Sequence, residues 1–303
     1  MNQDLGQLNT EAIDSRFSKI DTLSTLELLK LFNESDKSVA EEVAKVLPRV
    51  ADAISEITRR MESGGRLIYV GAGTSGRLGV LDASECIPTF SLKDELVIGL
   101  IAGGDTALRT GIEGAEDVLE GAIEDLKKIS FSKKDSLVGI AASGRTPYVV
   151  GALRYAKDIG AASIALSCNL NSELSKFADI AIEVDTGAEI LAGSTRLKAG
   201  TAQKLVLNMI STVSMINLGK TYGNLMVDLQ VSNIKLRDRA IRIIQSATNC
   251  DARRAQEALE ESKDQVKVAI VIILLDTSAE KALELLKASG SRVRAALDKP
   301  ANT

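Results

Sequence analysis

The chain has 303 residues, enough for about two average domains, with 45% hydrophobic and 26% charged residues. It contains no histidine, which excludes imidazole-activated nucleophiles, imidazole-bound zinc and histidine proton shuttles. The 41 acids against 37 bases leave a net charge of -4, and so mild an acidic balance argues against a nucleic-acid partner.

Aromatic residues make up only 3% of the chain and tryptophan is absent, so polar side chains and backbone must do the recognising. Cys86, Cys168 and Cys250 are odd in number and form no CxxC pair, which predicts free thiols, no metal site and a reducing cytoplasmic setting. The first residues, MNQDLGQLNTEAIDSR, have neither the basic start nor the apolar core of a secretory signal. The apolar run Val268 to Leu275 falls far short of the ~18 residues that a membrane span requires.

Residues 1–65 read as a helical segment. Leu23, Leu26, Leu28, Leu29, Leu31 and Phe32 cluster first, and Val39, Val43, Val46, Leu47, Val50, Ile54 and Ile57 then recur at helical spacing, with Pro48 either kinking or splitting the helix. Gly64 and Gly65 stop it. From Arg66, short apolar runs at 67–71, 96–103, 136–143, 162–168 and 180–184 predict buried parallel strands. Helix-like stretches near 76–84, 106–128 and 147–159 lie between them, the alternation of a doubly wound α/β sheet. Helices are expected near 196–219 and 231–247, and three more at 251–262, 265–275 and 278–289. Residues 268–275 are eight apolar residues in a row, a pattern that a buried strand shares; helical neighbours favour a helix. The predicted organisation is thus 1–65 helical, 66–247 α/β with a long helix, and 248–303 a small helical bundle.

Three segments carry chemistry. Strand LIYVG runs into GAGTSGRLG (71–79), where glycines turn backbone N–H groups toward an anion, Thr74 and Ser75 add hydroxyls, and a helix follows with its positive end forward. Gly71, Gly73 and Gly76 also fit GxGxxG, but the acids about 20 residues on, Asp94 and Glu95, precede the second strand instead of ending it, so a phosphate site ranks above a dinucleotide site. A second strand runs into ASGRTPY (142–148), where Ser143 and Thr146 either contact a ligand or cap the helix that starts near Pro147. In AGSTRLKAGT (192–201), Arg196 and Lys198 sit at a helix start, where the dipole opposes each cation by ~0.3–1 kcal/mol, so an anionic ligand or a nearby acid is expected there, unless the segment is simply a solvated basic face. Acids near these loops are Asp82, Glu85, Glu113, Glu116 and Asp117, and spacing alone does not choose among them.

The blocks GAGTSGRLGVLDASECIPTF (71–90), IAGGDTAL with EGAED, GIAASGRTPYV (139–149) and GAEILAGSTRLKAGTAQKLVLNM (187–209), in that order, resemble the sugar isomerase (SIS) family, and within it the etherases acting on N-acetylmuramic acid 6-phosphate. The resemblance implies a small C-terminal helical domain similar to ubiquitin-associated folds. It implies Glu85 and Glu116 as catalytic carboxylates, and Thr74, Ser75, Ser143, Thr146, Ser194, Arg196 and Lys198 as sugar-phosphate contacts. Ala141 stands where the wider family often has a further serine, and Ser194, Thr195 or Lys198 would take up the difference. Cleavage of the D-lactyl ether without cofactor or metal, in a cytoplasmic homodimer that completes the site, follows from the same resemblance, as does a role in peptidoglycan recycling. The rival reading is a non-catalytic sugar-phosphate sensor resembling glucokinase regulatory protein, which shares the GSTRxKxGT block.

Overall fold

Each of the five apolar runs forms a strand of one parallel sheet in the computed structural model of the chain, in which residues 8–92 and 95–298 are described. The strands are β1 (Leu67–Gly71), β2 (Val97–Ile101), β3 (Ser136–Ala141), β4 (Ala162–Ser167) and β5 (Ile180–Glu183), arranged β2-β1-β3-β4-β5. β1, β3 and β4 are buried along their whole length, as a sheet covered on both faces requires.

The covering helices divide between the faces. α4 (Leu119–Lys128) and α5 (Pro147–Asp158) bury Leu126, Val149 and Leu153 against Ile68, Val70 and Leu137. Side chains alternate along a strand, so Tyr69 faces the other way, toward α3 (Gly73–Phe90). That approach is close: a Cβ on Gly79 would lie 2.9 Å from the Cβ of Tyr69. α1 (Thr25–Lys45) opens on a Ser24/Glu27 capping box, and α2 (Leu47–Glu62) carries Pro48 in its first turn, so the proline splits the helix instead of kinking it.

α6 (Lys198–Asn217) leads to a hairpin of β6 (Thr221–Tyr222) and β7 (Leu225–Met226), then to α7 (Ile234–Thr248), α8 (Ala252–Glu261), α9 (Val266–Leu275), α10 (Ala279–Ala288) and α11 (Val293–Leu297). The apolar run at 268–275 is helical.

Three expectations are corrected. The helix near 106–128 shrinks to α4, because glycines at 111 and 114 interrupt it; Gly114 takes φ +76, and only short 3-10 turns precede Leu119. The helix expected near 76–84 runs past Pro88. The proline sits in the last turn, where one backbone bond is lost, and the helix continues to Phe90 before Ser91 turns left-handed at φ 48. The chain divides after Ser84, again before Glu95, and after Ser211, instead of at 247. α7 goes with the C-terminal helices because Ala240, Ile243 and Ile244 complete a core with Ala258, Leu259, Ile270 and Val271.

The feet of β1 and β3 are tied by a buried ion pair. The Asp135 carboxylate accepts from the Arg66 backbone N–H at 2.9 Å, from its guanidinium at 2.9 and 3.2 Å, and from the Ser132 N–H at 2.9 Å. Burial pushes the Asp135 carboxyl up, but Arg66 and the backbone donors outweigh it and hold the group below its ordinary value. Asp135→Ala is expected to cost about 3–5 kcal/mol in urea unfolding, because it strands a half-buried guanidinium. The native pair stabilises above the ordinary carboxyl value of 3.8, and that contribution disappears as pH falls through the depressed folded value. The gap between wild type and variant therefore narrows below that pH.

Candidate active site

In the strand order β2-β1-β3-β4-β5, crossovers leave β1 and β3 in opposite directions, so their carboxyl ends form the crevice where open α/β sheets bind ligands. Gly71 and Ala141 are the last residues of those two strands. The two motif loops begin there, around a cavity of about 720 Å3.

The first loop requires glycine. A Cβ on Gly71 would lie 2.7 Å from the Gly76 nitrogen, and one on Gly76 would lie 2.6 Å from Cγ1 of Ile101. Thr74 and Ser75 line the cavity in the first turn of α3. Ser75 is buried, and its hydroxyl donates to Oε1 of Gln203 on α6 at 2.9 Å, which pins the loop.

In the second loop Gly144 takes φ +71, and any Cβ there would meet Ser172 at 2.4 Å. Thr146 occupies the N-cap position of α5 with Pro147 behind it, yet its side chain makes no capping hydrogen bond. Ser143 and Thr146 line the cavity. Neither hydroxyl bonds to the described chain, so both donors remain available to a ligand, and capping is not their role.

The third segment is placed differently. Thr195 lines the same cavity, whereas Ser194, Arg196 and Lys198 are not among its lining residues. Arg196 is exposed. Lys198 is buried, and its ammonium donates to the Thr186 carbonyl at 2.7 Å beside a separate cavity of about 540 Å3. The acid expected near this helix start is Glu189, whose carboxylate accepts the Lys198 and Ala199 N–H groups at 2.9 Å each. Burial raises its pKa, and those two bonds pull it back.

The candidate acids separate by location. Glu116 lies on the short turn Ala115–Asp117 and lines both the large cavity and an adjoining one of about 330 Å3. Asp117 lines the large cavity, and Glu113 lines the smaller one. Asp82 is sealed in the interior, accepting from the Tyr69 hydroxyl at 2.9 Å, the Asn208 amide at 2.6 Å and the Ser211 hydroxyl at 3.1 Å. Burial raises its pKa against those three bonds. Glu85 is exposed on α3, ten residues beyond Ser75 and so about 15 Å along the helix axis. It is not among the lining residues and belongs to the other compact unit. Asp94 lies outside the described residues.

Sequence reasoning missed Glu11, Glu173 and Arg154, which also line the cavity. Arg154 stacks its guanidinium 4.2 Å above the Phe177 ring. No local motif marks these residues, because the fold alone brings them together. Tyr148 is core, donating to Asp125 at 2.8 Å, and Cys86 is buried. No helix among the described residues is long and apolar enough to cross a membrane.

Comparison with known proteins gives the same outline. Residues 49–157 match the N-terminal SIS domain of glucokinase regulatory protein, residues 118–213 the SIS domain, and residues 223–269 the C-terminal lid domain of glucokinase regulatory protein. A phosphoheptose isomerase from Francisella tularensis shares the fold, with a TM-score of 0.51 at 19% identity over 63% of this chain and 98% of that one. An N-acetylmuramic acid 6-phosphate etherase from Geobacillus is 53% identical over 97% of this chain and 99% of its own. The enzyme of that name from Pectobacterium atrosepticum is 53% identical over 98% of each chain. Identity of that order from end to end leaves one conclusion: the chain belongs to the N-acetylmuramic acid 6-phosphate etherase family, built on the SIS fold.

Proposed function

We propose that the protein is a carbon–oxygen lyase that cleaves the D-lactyl ether of N-acetylmuramic acid 6-phosphate, giving D-lactate and N-acetylglucosamine 6-phosphate. The observation that carries this reading is 53% identity to etherases across nearly the whole chain. A purely sensing role finds no counterpart among those relatives.

The phosphate docks between the two strand-end loops, taking hydrogen bonds from Ser143, Thr146 and Thr74 and facing the positive ends of α3 and α5. Opening of the sugar ring to the aldehyde makes the C2 proton acidic. The Glu116 carboxylate takes that proton, the C2–C3 double bond forms, and the C3–O bond breaks as a carboxylic acid, the role that family resemblance gives to Glu85, protonates the departing lactate. The same group, now a carboxylate, accepts a proton from the water that adds at C3, and protonated Glu116, whose proton exchanges with solvent, returns a proton to C2. Neither metal nor cofactor enters these steps.

Loss of a hydrogen bond to a charged group costs roughly 1.5–3 kcal/mol, so Ser143→Ala and Thr146→Ala are each expected to raise KM about 10- to 100-fold with a smaller change in kcat. The measurement is lactate release against substrate concentration; an unchanged KM in both variants removes these hydroxyls from the phosphate site.

The working form is a cytoplasmic homodimer whose partner completes the site, acting in the recycling of peptidoglycan. Exposed leucines on α1, Leu26 and Leu29 at 61% each, and Ile216 on α6 at 45%, support a self-contact. Sedimentation is expected to give a dimer, and a fully active monomer overturns this part of the reading.

A further inference from the structure

Within the helical unit, α9 is the most apolar helix of the chain, and its ten residues carry a single charge, Lys267. That side chain is only 9% exposed, and its ammonium meets Asp228, in the segment after β7, at 2.9 Å. One lysine per carboxylate would close the account. Here Lys220 also reaches the same carboxylate, at 3.0 Å, with Asp228 itself 19% exposed. Asp228 neutralises one ammonium, so a unit of positive charge is left over where solvent screens it poorly. The second acid nearby, Asp264, is taken by Arg237 at 2.7 Å.

The two lysines and Asp228 line a cavity of about 650 Å3, as do Lys287 and the polar Gln230, Ser232, Asp264 and Gln265. Its remaining walls include Val227, Leu229, Val266, Val268, Leu283 and Leu286. Burial lowers the pKa of Lys267, Asp228 draws it back up, and Lys220 pushes it down again. A structural clamp between the segment after β7 and α9 needs only the Lys267–Asp228 pair. The second lysine and the valine and leucine wall beside it are what a clamp leaves unexplained.

We propose that this cavity is a binding site for a small organic acid, its anionic head held by Lys220 and Lys267 beside Asp228 and its apolar body laid against the valine and leucine wall. The site lies wholly within the helical unit and is independent of the sheet cavity, so it stands or falls separately from the etherase reading.

Calorimetric titration of the full chain with sodium hexanoate tests it, with hexanol as the neutral analogue and inorganic phosphate as an anion without an apolar body. Saturable one-to-one binding of hexanoate is expected, at least tenfold tighter than either control. Lys220→Met, which removes the surplus charge and leaves the Lys267–Asp228 pair intact, is expected to weaken hexanoate at least tenfold, and Lys220→Arg to restore it. Ser143→Ala, in the sheet cavity, is expected to leave hexanoate affinity unchanged. The proposal is overturned by absence of saturable hexanoate binding, by equal binding of hexanol, by tighter binding of phosphate, by an unchanged affinity in Lys220→Met, or by a loss in Ser143→Ala.

Discussion

Glu116→Gln is expected to slow lactate release from N-acetylmuramic acid 6-phosphate by about 100- to 10,000-fold, the range that a positioned general base contributes. Glutamine keeps the size and the hydrogen-bonding outline of the side chain but cannot take a proton from carbon, so substrate binding should survive while turnover collapses. Glu116 lies on an exposed turn where two cavities meet, so the substitution disturbs no packing and the variant should melt with wild type. Under the proposed mechanism Glu85→Gln lowers turnover comparably, and unchanged turnover in that variant removes Glu85 from it. The two roles separate by isotope: wild type in deuterium oxide should place deuterium at C2 of the product, and a substrate carrying deuterium at C2 should react more slowly. Full activity in the Glu116 variant would return the choice of base to Asp117 and Glu113, neighbouring acids on the same cavity walls.

Gly71→Val is expected to destabilise the fold by about 1–3 kcal/mol or more and to abolish activity together with it. The added Cβ would lie 2.7 Å from the nitrogen and 2.9 Å from the Cα of Gly76. Both are backbone atoms, so no rotamer change relieves the clash; either β1 or the start of α3 must move. Movement of α3 drags Thr74 and Ser75 from the cavity and strains the Ser75–Gln203 bond. Gly73→Val serves as the contrast. Its Cβ would meet nothing within 4 Å, although φ +51 still penalises it, so it should retain more of the fold than Gly71→Val. Thermal unfolding of the two variants side by side decides the matter, and equal melting points would contradict the close-approach argument.

The strands were legible because each is a mostly apolar run of four to six residues, and the central ones are buried on both faces, which leaves such runs little freedom to be anything else. The helices blurred where glycine and proline acted through context. Pro88 sits near enough to a helix end to be tolerated, whereas glycines at 111 and 114 dissolve a helix that periodicity alone extends. The two strand-end loops were readable for the same reason that they work: close approach of backbone to ligand leaves glycine and hydroxyl residues in fixed order. Lys198 shows the limit. A cation at a helix start called for an anionic ligand or a nearby acid, and the acid is Glu189, nine residues upstream, which accepts the Lys198 backbone N–H; spacing alone did not choose between the two. Arg154 and Glu173 are invisible locally, since only the folded sheet brings them to the cavity. The choice of Glu85 and Glu116 from 41 acids rested on family resemblance, because spacing does not distinguish a catalytic carboxylate from a solvated one.

The bare N-cap at Thr146 has a thermodynamic meaning. A helix whose first turn lacks a side-chain cap is weaker by about 0.5–2 kcal/mol than one that has it. On the proposed reading, α5 carries that deficit at the position where a phosphate oxygen would sit, and an arriving ligand would supply what the sequence withholds. Binding and folding are thereby coupled, and stability rises with the logarithm of ligand concentration above its dissociation constant. The catalyst is most durable when its substrate is plentiful and most readily turned over when that supply ends.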